Sequence, residues 1–238
     1  MSRDLRSCGN GQMNINYARR MDEIIEGLRE QAVLPRLLLH VCCAPCSSHC
    51  LEQLRQDFEV TVFYFNPNIT DPLEYEHRYA EELRLIDSYN AQVSSGDYTG
   101  MAYDGGAHMI SVMEAPYDPR MFMNIARGLE EVPEGGERCA RCFTQRLAVT
   151  AHAAATHGFD YFTTTLTISP QKDAALLNEI GQEQGRRCGV EFLPSDFKKR
   201  DGYKRSVELS GRYGLYRQDY CGCVFSKRDR ERDRDKKK

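Results

Sequence analysis

The chain has 238 residues and a mass of 27.3 kDa, enough for one large α/β domain or two small ones. Its 41% hydrophobic and 28% charged residues hold no run of 18 apolar positions, which excludes a membrane span, and the net charge of −3 gives no global pull toward nucleic acid. The opening stretch lacks the apolar core of a secretion signal and points to a cytoplasmic address, where ten cysteines beside no tryptophan read as metal ligands and redox groups rather than as a disulfide scaffold.

Residues 1–34 read as a polar arm followed by a helix, because Met21, Ile24, Ile25 and Leu28 recur at i, i+3, i+4 and i+7. Pro35 introduces Leu37 to Val41, a short apolar run of the length of a buried strand. The next segment, CCAPCSSHCLEQLRQD, reads as a turn feeding a helix, with Pro45 in its first turn. Glu59 to Ile69 is a strand rich in β-branched and aromatic residues, and Glu74 to Asn90 a further helix. Strand, helix, strand, helix is the start of a βαβ architecture, a parallel sheet with helices on both faces. Residues 93–136 are Gly- and Met-rich and carry one helix signal, Met121 to Leu129. A helix over Phe143 to His157, a strand over Phe159 to Leu166, a helix over Lys172 to Gly185 and a strand-like run GVEFLPSDF follow. Residues 35–226 thus form a single α/β domain. Residues 227–238 carry eight bases and four acids without an apolar residue, the composition of a disordered, solvated tail.

Eight of the ten cysteines fall into three groups. Cys42, Cys43 and Cys46, with Cys50 one turn on, lie where the first strand gives way to its helix, the ligand-binding edge of an open parallel sheet. A thiol at that helix N-terminus is biased toward the thiolate. Cys50, further along the helix, reads as core. Cys139 and Cys142 form a C-x-x-C that lets two sulfurs converge on one metal or on one redox disulfide. Cys221-Gly222-Cys223 brings two thiols together at i, i+2; a disulfide there closes a very small ring, easily reduced and suited to electron delivery. Two cysteines of the first group with the C-x-x-C make a four-thiolate set that zinc and a 4Fe–4S cluster both accept. Cys46 is a possible extra ligand, and Cys8 and Cys188 have no near partner.

The strings LLLHVCCAPCS, FYFNPNI with EYEHR, EGGERCARCF, FDYFTTTLTISPQK, LPSDFKKRDGYKRS and GLYRQDYCGCVFS stand in this order. Together, over about Leu37 to Ser226, they closely resemble the QueH family of epoxyqueuosine reductases. The resemblance implies a Rossmann-like parallel sheet of the adenine-nucleotide-hydrolase kind, with cysteines in place of the phosphate loop. It implies a two-electron deoxygenation of epoxyqueuosine to queuosine at the tRNA wobble position, independent of cobalamin. It implies a 4Fe–4S cluster with an additional iron in some members: Cys42, Cys43, Cys139 and Cys142 would be the metal and cluster site, and Cys221 with Cys223 the redox-active catalytic disulfide. The partners it implies are epoxyqueuosine-bearing tRNA and an electron donor.

A proton donor is also needed, and Asp196, Tyr203, Tyr216, Asp219 and Tyr220 stand in the shared motifs. Lys198, Lys199, Arg200, Lys204, Arg205, Arg212 and Arg217, interleaved with Tyr203, Tyr213, Tyr216 and Tyr220, suggest a tRNA-facing patch. The hydroxyls of FTTTLTISPQK lean toward a substrate pocket, whereas His40, alone in an apolar strand, reads as a core residue. Two rivals stand beside this reading. A zinc-stabilised binding module would be colourless, and a nucleotide-dependent tRNA-thiolating enzyme would need a Gly-rich loop where this chain has CCAPCSS.

Overall fold

The computed structural model describes residues 15–103 and 105–236; Cys8 and most of the expected N-terminal arm lie outside them. Helix α1 (Tyr17–Glu30) starts where Asn16 accepts the Arg19 N–H, a side-chain N-cap. Strand β1 (Arg36–His40), helix α2 (Ala44–Leu54), strand β2 (Glu59–Phe63) and helix α3 (Pro72–Ser95) follow. The segment without a clear period supplies β3 (Ser111–Met113) and α4 (Pro119–Ala126). Then come α5 (Glu137–Thr156), β4 (Tyr161–Thr164), a 3-10 turn (Thr165–Ile168), α6 (Ala174–Cys188), β5 (Glu191–Phe192), α7 (Gly202–Arg212) and α8 (Val224–Asp235).

The five strands pair in parallel in the order β3-β2-β1-β4-β5. Period-two alternation along β1 explains how both faces are filled. Leu37, Leu39 and Val41 pack with Val60, Val62, Met21, Ile25, Leu51 and Leu85, the side of α1, α2 and α3. Leu38 turns the other way, toward Phe63, Phe162, Phe192 and the Ala151 and Ala154 face of α5. This is the Rossmann-like, doubly wound α/β arrangement expected from the sequence. Strand order reverses between β1 and β4, so a crevice opens beyond their carboxyl ends, where CCAPC and the Thr165–Lys172 turn both emerge. No helix among the described residues is long and apolar enough to cross a membrane.

The charged C-terminal run differs from the expected disordered tail: most of it is helix α8. Acids and bases alternate along it, so its charge largely cancels locally, and its arginines find partners on three loops. Arg228 bonds Glu131 and the Glu130 carbonyl, Arg230 the Gln171 side chain, and Arg234 Asp219.

Candidate active site

Three loops bring the cysteines to the crevice. After β1 the chain turns directly into α2, and the sulfurs of Cys42, Cys43 and Cys46 lie within 4.8 Å of one another. The Cys42 and Cys43 sulfurs are 3.7 Å apart, and Cys42 is 3.8 Å from the Thr165 hydroxyl on the turn after β4. Cys139 and Cys142 lie inside the first turns of α5 rather than ahead of it, and Cys139 accepts the Gly135 N–H at 3.3 Å. Cys221 and Cys223 lie 3.5 Å apart immediately before α8.

The backbone of that last loop is gripped from below. Asn68 and Arg78 donate to the Cys221 carbonyl, and Thr70 N–H to the Gly222 carbonyl. Gly222 has φ +108, and a Cβ there would meet Ile69 Cγ1 at 2.7 Å, so only glycine passes this point. At the other end Cys223 Sγ accepts the Ser226 N–H at 3.3 Å and caps α8.

Two adjoining cavities result. The larger, of about 400 Å³, has Cys42, Cys43 and Cys46 on its wall together with Arg78, Arg146, Lys172 and Cys221. The smaller, of about 120 Å³, is bordered by Cys139, Cys142, Cys221 and Cys223, again with Arg146 and Lys172. Cys221 belongs to both. The sequence-derived set of Cys42, Cys43, Cys139 and Cys142 therefore spans the two adjoining cavities: the first two border the larger with Cys46, the last two the smaller with the C-terminal pair. Cys50 is buried and donates to the Cys46 carbonyl, and Cys188 packs against the α5 side of the sheet.

Burial and hydrogen bonding set the thiol protons. Cys42 is held well below the usual thiol range by hydrogen bonds from Cys43 and Cys46. Those donors go the other way, Cys43 up to about 12 and Cys46 well upward. Cys221 falls to about 6, chiefly through the Cys223 thiol, whose own value rises. Burial pushes Cys139 up and Cys142 to about 11. Each sulfur group thus carries at most one charge when no other ion is present.

Two cations missed in the sequence balance these charges. Arg146 is buried, one helical turn beyond Cys142; its Nε donates to His40 Nε2 at 3.1 Å and its Nη2 to Asn66 Oδ1 at 2.5 Å. An arginine Nε can only donate, so the Arg146 bond takes His40 Nε2 as acceptor, with Nδ1–H toward the Thr164 hydroxyl 2.8 Å away. The Phe65 carbonyl, 3.1 Å from the same Nε2, is served by the other tautomer. Burial and the Arg146 charge hold His40 neutral, at about 3; it is a satisfied core residue. Asn66 in turn donates to the Val41 carbonyl, so one guanidinium joins β1, the end of β2 and α5. A lone arginine in register with Cys139 and Cys142 on a helix face was the available signal. Lys172 sits on the turn after β4 and borders both cavities. Burial works against its charge, but Cys42, Cys46 and Cys221 outweigh it.

Other sequence candidates separate by place. Tyr203, Asp219 and Tyr220 line the larger cavity, whereas Asp196 and Tyr216 do not. Asp196 pairs with Lys198, and Tyr216 stacks on His77 and meets Glu74. The threonine hydroxyls of the 163–167 run are used internally: Thr163 and Thr167 with Ser195, and Thr164 with His40. The basic stretch is largely spent within the fold. Arg200 is tied to Asp22, Arg205 to buried Glu52, and Arg212 to the Thr99 carbonyl, while Tyr213 packs on Tyr89.

Fold and site together define an α/β protein whose switch-point crevice is lined by thiols and cations. The family model for the epoxyqueuosine reductase QueH matches residues 37–229. Among curated proteins, the epoxyqueuosine reductase QueH of Staphylococcus epidermidis is 40% identical over 214 residues, 89% of this chain and 84% of that protein. That of Streptococcus pyogenes is 41% identical over 217 residues, covering 91% and 80%. That of Thermotoga maritima is 32% identical over 190, covering 80% and 89%. The chain belongs to the epoxyqueuosine reductase QueH family.

Proposed function

We propose that this chain reduces epoxyqueuosine in the anticodon of tRNA to queuosine, using an iron–sulfur cluster and the Cys221/Cys223 pair, without cobalamin. The observation that carries this reading is the position of Cys221, on the wall of both thiol-lined cavities. The donor set fits a thiophilic metal. Three sulfurs converge within 4.8 Å, more cysteines border the next cavity, and soft thiolates are the ligands that iron–sulfur clusters and zinc take. Cys42, Cys43, Cys139 and Cys142 would hold the cluster, with Cys46 available to an additional iron. When bound, these groups supply single-electron transfer and a Lewis-acidic iron.

The chain's own residues then have defined tasks. Deoxygenation of an epoxide consumes two electrons and two protons and yields an alkene and water. Oxidation of the Cys221/Cys223 dithiol to its disulfide releases two electrons and two protons, and an external reductant restores it. Cys221, the less buried of the two, faces the substrate cavity, and Cys223 behind it resolves the pair. Arg146 and Lys172 offset the charge of the metal-bound thiolates, which would otherwise repel one another in a dry pocket. Tyr203 and Tyr220 would pass a proton to the departing oxygen from the cavity wall, whereas the Asp219 carboxylate is paired with Arg234.

The test uses anaerobically purified protein, its metal content and visible spectrum measured first. Incubation with a reductant and epoxyqueuosine-bearing tRNA follows, with nucleosides analysed by mass spectrometry. Iron with a broad absorption bleached by dithionite, and formation of queuosine, are expected. Colourless protein holding zinc alone, with no conversion, overturns the proposal in favour of a zinc-stabilised binding module.

A further inference from the structure

Four cations on the wall of the larger cavity, Arg146, Lys172, Arg217 and Arg230, form no ion pair among the described residues, whereas Arg78 on the same wall is paired with Glu74. Arg146 and Lys172 lie beside the thiols. Arg217 and Arg230 do not have that use. Arg217 is exposed and donates to the Ser210 hydroxyl at 3.0 Å. Arg230 donates from Nη2 to the Gln171 side-chain oxygen at 3.1 Å, and its Nε is buried with no partner. Of the two carboxylates on this wall, Asp219 is neutralised by Arg234, which leaves Glu134, hydrogen-bonded by Ser226. The wall of this cavity therefore carries unspent guanidinium donors, with four unpaired cations against Glu134, while Asp229 and Asp233 border Arg230 in the neighbouring groove.

Depth decides what these donors can meet. Cys43, Arg78 and Arg146 are buried, Arg230 is half-buried, and Tyr203, Gln171, Arg217 and Asp219 are exposed, so the floor is thiol and guanidinium and the rim is polar. A nucleotide that enters base and sugar first, still joined to its strand, leaves its phosphates at the rim. Guanidinium forks match phosphate oxygens in geometry and charge. Resting on the tRNA reading above, we infer that Arg217 and Arg230 bind the phosphodiester flanking the reacting nucleotide and so set how far it reaches toward Cys221. The helix α8 that composition suggested as a loose tail is, on this view, part of the substrate seat.

The test measures binding of a fluorescently labelled anticodon stem–loop RNA to the full-length protein across a salt series. For a single strand, each phosphate that the protein ceases to neutralise lowers the slope of log affinity against log salt by about 0.7. The Arg217→Gln/Arg230→Gln variant is expected to bind about tenfold more weakly at physiological salt, with the slope reduced by about 0.7 for the one phosphodiester released. The Arg217→Lys/Arg230→Lys variant should keep most of the slope. A double glutamine variant with wild-type affinity and slope, beside a salt-dependent wild type, overturns the inference and leaves the tRNA reading standing. A wild type that does not bind the RNA overturns the tRNA reading and the inference with it. Thermal melting checks folding. Arg217→Gln alone, at an exposed side chain bonded to a single hydroxyl, preserves the test if the double variant does not fold.

Discussion

The two thiol regions of the crevice are built on opposite physical terms. Cys42, Cys43 and Cys46 sit at a strand end and helix start whose backbone is fixed by β1 pairing on both sides. Cys221 and Cys223 sit on a loop outside the strand pairing, held by side chains that reach its carbonyls. The first region packs its sulfurs so tightly that one thiolate is shared among three. The second isolates a pair, with one member near the neutral range and the other capping a helix. A rigid group of donors suits a resident ion, and a gripped but non-sheet pair suits a bond that forms and breaks.

The largest expected effect separates these roles. Cys42→Ala, like Cys139→Ala, should remove both iron and turnover, while Cys221→Ser should keep the visible spectrum and lower turnover by about 10³-fold or more. Loss of all iron in Cys221→Ser would erase the distinction. Next comes thiol reactivity in reduced, metal-free protein. At pH 7, iodoacetamide should label Cys221 and Cys42 at least about a hundredfold faster than Cys142, since the thiolate is the nucleophile. Peptide mass spectrometry should show a Cys221 inflection near pH 6, set by its value of about 6. Equal labelling of Cys142 would mean that burial does not order these thiols.

A smaller effect concerns the support beneath α2. Glu82 is fully buried, accepts the Ser47 hydroxyl at 2.8 Å and leaves Oε1 without a partner; burial raises it from 4.5 to about 8. Because its folded value lies above its unfolded one, its burial costs nothing electrostatic below about pH 4.5. Stability is then lost as pH rises toward 8, by about 3 kcal/mol at pH 7. Glu82→Gln should flatten the stability profile over this window in denaturant titrations. A wild-type profile already flat there would show a charged Glu82 compensated in another way.

Much of the fold was legible because long periodic segments carry their own signal. The stripe of Met21, Ile24, Ile25 and Leu28 and the run Leu37–Val41 each marked a real element. The edge strand β3 was not legible, since three residues that are mostly exposed leave no alternation to read. Nor was α8: its arginines find partners outside the run, Glu131 and Gln171 far along the chain and Asp219 on the preceding loop, which no local composition shows. At the site, the cysteine groups stood out by spacing. Their sharing between two cavities depended on how deeply the C-x-x-C is set into α5. The basic stretch misled for a related reason, because a charge count cannot tell a free arginine from one bound to Glu52 or Asp22.

The guanidinium of Arg146, placed without a carboxylate between strand ends and sulfurs, also makes the molecule a sensor of its own contents. An empty cavity leaves a buried positive charge compensated by little more than the Cys42 thiolate and hydrogen bonds to neutral groups. An anionic occupant relieves it. Unfolding free energy should therefore track occupancy, so that protein lacking its inorganic load opens more often and is cleared first by proteolysis.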